Sequence, residues 1–118
     1  MIDRVPFPKH VHLSFLKVNL VLLNSQISYE VADQQGAFVE KPPVSIYLDE
    51  EIIRRGGSDA VVLVIHEVCH AIEHLAQLGN LSEGDALKAE EGRVNAYSNF
   101  ITELISKSEL RDWIRDNT

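Results

Sequence analysis

From Val61 to Ile72 the chain reads Val-Val-Leu-Val-Ile-His-Glu-Val-Cys-His-Ala-Ile, a strongly apolar run with His66, Glu67 and His70 set into its middle. Ser58 or Asp59 stands before the run as a helix cap, and Gly79-Asn80 follows Leu78 as a stop, so the spacing predicts one helix across this region. Its apolar residues go nearly all the way round, which predicts a central, buried helix. Burying an isolated charge in such surroundings costs several kcal/mol unless the group is paired or bound to a metal. Any fold of this chain must therefore cover the helix and still give three ionisable side chains a reason to be there.

The remaining elements are shorter. Val11, Leu13 and Phe15 alternate with polar residues, the period of a half-buried strand. Periodicity leaves Leu16–Leu23 open between a buried strand and a helical turn. Ile27–Val31 alternates again, and Asp33-Gln34-Gln35-Gly36 resembles a turn. Val44–Leu48 is β-branched and aromatic, and Pro42-Pro43 before it suits an edge position. Asp49-Glu50-Glu51 is expected to end that strand in solvent, with Arg54-Arg55-Gly56-Gly57 as a loop. Ser82 with Asp85 resembles a capping pair for a further helix with Leu87, Val94, Tyr97, Ile101, Leu104 and Ile105 facing inward. Ser108 to about Arg115 closes the chain as a short helix carrying Trp113. Strands followed by helices predict an α+β fold. The expected form is a small mixed or antiparallel sheet of about three strands, packed on two long helices with a short C-terminal one. At 118 residues, one domain spanning 1–118 is expected.

The net charge of −7 argues against a nucleic-acid backbone as partner, because that binding needs a basic surface. Cys69 is the only cysteine, so no intrachain disulfide can form. The N-terminus lacks the basic start and apolar core of a signal peptide, and Val18–Leu23 is too short to span a bilayer. A cytoplasmic protein without membrane or nucleic-acid partners is the expectation.

His66-Glu67-x-x-His70 is the H-E-x-x-H pattern in which two helix-borne imidazoles bind zinc and the glutamate is a general base. Residues four apart share a helix face, so both rings can reach one Zn2+ ion. Catalytic zinc takes three protein ligands and keeps a fourth position for water. His74 would extend the series, but three ligands on one straight helix drift around its axis and suit a tetrahedral site poorly. The alternative is Glu91, four residues before Asn95, whose amide can orient a ligand histidine. Glu90 competes: it shares the apolar stripe, whereas Glu91 falls with Asn95 and Ser98. The i, i+4 partnership favours Glu91.

His66-Glu67-x-x-His70 followed by Glu91-x-x-x-Asn95-x-Tyr97 resembles the gluzincin metallopeptidases. Within that clan it is similar to the minimal forms, namely minigluzincins, ImmA/IrrE-type peptidase domains and small phage-encoded H-E-x-x-H proteins. The last of these also tend to end in a helix and an Asp-Asn pair, as Asp116-Asn117 does here. The resemblance covers roughly residues 44–118. It implies a zincin-like domain with zinc on His66, His70 and Glu91, and Glu67 as catalytic base.

The expected activity is hydrolysis of peptide bonds in a peptide or protein substrate, with the Val44–Leu48 strand lying along the cleft. The alternative is a latent module that keeps the zinc scaffold to bind or inhibit a partner protein. Among the other residues, Glu73 is either a group that orients the site or, more commonly for such a position, a solvated end of the helix, Cys69 reads as a small core residue and Tyr97 as core packing. Tyr47 and Tyr97 are also candidate donors to an oxyanion. His10 and His12 are either surface residues or part of the cleft.

Overall fold

The computed structural model describes residues 5–14, 16–24, 35–78 and 86–118. The expected strand at Ile27–Val31, the Gly79-Asn80 stop and the Ser82–Asp85 capping pair lie outside these residues. The fold is α+β, with four strands and four helices among the described residues.

The strands are β1 (His10–Leu13), β2 (Leu16–Leu23), β3 (Gly36–Val39) and β4 (Ser45–Asp49), arranged in the order β1-β2-β4-β3. β1 pairs antiparallel with β2, β2 parallel with β4, and β4 antiparallel with β3, making a mixed sheet. The open reading of Leu16–Leu23 resolves as a strand because it has a partner on each side. In register, Val11 lies opposite Val18 and Leu20 opposite Ile46. These residues therefore share one face and bury against the helices.

β4 is an interior strand, which corrects the expected edge position. The prolines do not force it to the edge, because the ladder begins at Ser45, after Pro43, and loses no donor. Nor does the strand end in solvent. Asp49 is 4% exposed and its carboxylate accepts the Glu51 backbone N–H at 2.9 Å, capping a helix. That helix, α1 (Glu50–Arg55), takes in Arg54 and Arg55, which were expected in a loop. It carries acidic residues in its first turn and basic ones in its last, complementing its dipole. Gly56 and Gly57 then turn the chain with positive φ.

The long helix α2 (Gly57–Leu78) lies where the apolar run predicts it. Ala60, Val61, Val64, Val68, Ala71, Ile72 and Leu75 are buried in the common core with the strand residues. One stripe is open, however: Val62 is 67% exposed, and His66 and His70 follow it at intervals of four. The helix is central but not enclosed. Its N-terminus is fastened from far along the chain, where the Asn117 side chain accepts the Gly57 N–H at 2.9 Å.

α3 (Ala86–Ser106) packs on α2, and α4 (Arg111–Asp116) completes the core with Trp113, whose ring meets Phe7 edge-on at 4.9 Å. The inward stripe of α3 differs from expectation. Tyr97, Phe100, Ile101 and Leu104 pack against the core, while Val94 and Ile105 are exposed. No described helix is long and apolar enough to cross a membrane.

Candidate functional site

The open stripe of α2 places the two motif histidines side by side. Their ring centroids are 5.0 Å apart, the proximity that a helical spacing of four gives, and the rings are nearly perpendicular. Both are exposed, so their nitrogens are accessible from solvent.

Glu67 is one position further round the helix, and its setting is different. It is 3% exposed, with Oε2 4.0 Å from His66 Nε2, and among the described residues it has no hydrogen-bond donor. Burial pushes its carboxyl above the usual carboxylate range, against the opposing pull of the His66 and His70 imidazoles. What covers it is the start of β3. A Cβ built on Gly36 would stand 3.0 Å from Glu67 Oε2 and 3.1 Å from Leu63 Cδ1. The absence of a side chain at position 36 is what lets the strand close over the carboxylate.

Beside His66 a groove of about 390 Å³ runs between α1 and α2, lined by Ile52, Arg55, Asp59, Val62 and Leu63. β3 is an edge of the sheet among the described residues. Phe38 of β3 packs on the helix, with its ring centroid 5.8 Å from that of His74. His74 Nδ1 also lies 3.3 Å from Glu40 Oε2, so this histidine docks the end of β3 onto α2.

Glu91 is exposed on α3, as are Glu90 and Asn95. His66, His70 and Glu91 do not form a set whose ligand atoms all lie within 4.8 Å of one another. The link from α3 to α2 runs instead through Tyr97, whose hydroxyl donates to Glu73 Oε1 at 2.9 Å. Burial and the Glu73 carboxylate together push the Tyr97 phenol up to about 12. Glu73 is therefore a half-buried acceptor rather than a solvated position. Cys69 is half-buried beside it, and burial and the same carboxylate raise its thiol.

Among the described residues, one trio does bring its ligand atoms within 4.8 Å of one another and could hold a metal ion: His10, His12 and Glu109. It lies at the opposite edge of the sheet, on β1 and the turn between α3 and α4, so His10 and His12 do not line the cleft. Glu109 Oε1 accepts the His12 backbone N–H at 3.0 Å, and Oε2 is 2.6 Å from His12 Nδ1. Burial favours the neutral acid, but these bonds from His12 hold the Glu109 carboxyl below its usual range. Histidines two apart on a strand share a face, which is a readable signal; their partner, 97 residues away, leaves none.

No protein-family model matches this chain, and no curated protein or solved structure matches it.

Proposed function

We propose that the chain is a zinc-dependent peptidase of minimal gluzincin type. The observation that carries this reading is Glu67, a buried carboxylate with no donor among the described residues, set beside two accessible imidazoles. A buried carboxylate without a partner is costly in a purely structural role. A raised proton affinity is what a general base working near neutral pH needs.

His66 and His70 would hold the ion through neutral ring nitrogens, with Glu91 on α3 as the third ligand. Zinc bound there supplies a Lewis acid that lowers the pKa of water and polarises a carbonyl. Glu67 takes the proton from the attacking water and returns it to the leaving amine. Among the described residues β3 is an edge strand, so it replaces Val44–Leu48 as the strand beside which an extended peptide would pair, because β4 already has a neighbour on each side. The groove next to His66 receives side chains on one flank of the scissile bond.

One observation favours a second reading, a latent zinc-scaffold module that binds or inhibits a partner protein: Glu91 does not converge with the histidines. Cleavage of a peptide library by zinc-loaded protein separates the two. Turnover is expected in the wild-type chain and should vanish in Glu67→Gln while bound zinc stays the same. Cleavage by Glu67→Gln at the native rate would refute the role of Glu67, and no cleavage by either protein favours the latent module.

A further inference from the structure

We propose that His10, His12 and Glu109 form a second metal site, selective for a divalent ion of the zinc class, which ties β1 to the turn between α3 and α4. The site is independent of the His66–His70 pair and stands at the other edge of the sheet.

Strand periodicity creates half of it. Val11 and Leu13 are fully buried, so His10 and His12 must project together from the other face of β1. Their rings are 5.1 Å apart and nearly perpendicular. Glu109 supplies the other half from 97 residues away, and both imidazoles converge on the same oxygen. Oε2 lies 2.6 Å from His12 Nδ1 and 3.4 Å from His10 Nε2. Tetrahedral zinc with bonds of about 2.0–2.1 Å separates its ligand atoms by roughly 3.3 Å. One of these distances already matches, and the other needs to open by less than about 1 Å, within reach of a side-chain rotation.

The carboxylate is also pre-oriented. Glu109 Oε1 is held by the His12 backbone N–H at 3.0 Å, which leaves Oε2 turned toward the rings. The three side chains are 39%, 48% and 33% exposed, so an ion can enter from solvent and keep water in its remaining position. Two imidazoles and one carboxylate suit zinc and its transition-metal neighbours, whereas calcium and magnesium require oxygen ligands. An ion bound here links strand and turn across most of the chain, so binding to the folded state alone raises stability.

The test uses the full chain carrying His66→Ala and His70→Ala, which removes the motif. After dialysis against Zn2+, metal analysis is expected to find about one equivalent bound. Thermal melting should rise by at least about 5 °C on adding zinc, and not on adding Ca2+. Adding His12→Ala to this background should abolish both effects, and Glu109→Gln should weaken zinc binding by at least about tenfold. No bound zinc, zinc retained after His12→Ala, or equal stabilisation by Ca2+ would each overturn the proposal. If the double variant does not fold, His12→Ala in the otherwise native chain is measured instead. A fall by one bound equivalent supports the second site, and unchanged stoichiometry overturns it. Peptide cleavage is not used, so failure here leaves the reading of Glu67 untouched.

Discussion

The approach of β3 to Glu67 can be tested by adding one methyl group, in Gly36→Ala. The new Cβ would meet Glu67 Oε2 at 3.0 Å, Leu63 Cδ1 at 3.1 Å and Glu67 Cγ at 3.2 Å, all closer than ordinary contact. The positive φ values among the described residues are at Ser14, Gly56 and Gly57, so backbone strain does not confuse the result at position 36. Overfilling a packed site costs about 1–3 kcal/mol. Restricting the unfolded chain offsets about 0.4–1 kcal/mol of that. Taking the middle of each range, the net loss is about 1.3 kcal/mol, or a fall in melting temperature of roughly 4–8 °C for a domain of this size. Thermal unfolding of the metal-free protein measures it, and a double-mutant cycle shows where it comes from. In a Glu67→Ala background the clash is largely relieved, so the cost should shrink by at least ~0.5 kcal/mol. Equal costs in the two backgrounds would refute the claim that Gly36 is small in order to admit the carboxylate.

Two other expectations concern the fastening of α2. Asn117→Ala removes the acceptor of the Gly57 N–H and a bond from Nδ2 to the Trp113 carbonyl; by analogy with lost helix caps it should cost about 1–2 kcal/mol in denaturant unfolding, and a loss below about 0.3 kcal/mol would contradict the capping role. The Tyr97 phenol, pushed up to about 12, should ionise later than an ordinary tyrosine when followed by absorbance. Because its folded value lies above its unfolded value of about 10, its contribution to stability is complete below pH ~10 and is lost as pH rises through about 12. Glu73→Gln should bring the phenol part of the way back, with the effect of burial remaining; no movement would remove Glu73 as a cause.

The helix of the motif is readable because the apolar run from Val61 to Ile72 admits few alternatives, and the two histidines follow from a spacing of four. β1 and β4 declared themselves by alternation. β2 did not, because only its pairing with β1 and β4 distinguishes an apolar run in a sheet from a helical turn. β4 lies inside the sheet rather than at its edge: sequence shows that prolines are near a strand, not whether they fall inside its ladder. α1 was hidden by its glycine neighbours, although Asp49 is a favoured capping residue. At the site, Glu67 was legible as chemistry, but its burial depends on Gly36, which sequence alone presents as a turn residue. Glu109 lay beyond any local pattern.

The outer edge of β1 bears on how the protein meets other chains. The His12 N–H is taken by Glu109, and the Ser14 N–H by both oxygens of Glu103 at 3.1 and 3.2 Å. Unpaired edge donors are what an incoming strand would bind, and negatively charged side chains already occupy these two. Addition of a strand along this edge is therefore obstructed at these two donors. At the opposite edge, β3 is only four residues long and lies over Glu67. A strand added to this sheet would, among the described residues, find its edge at β3, beside the carboxylate.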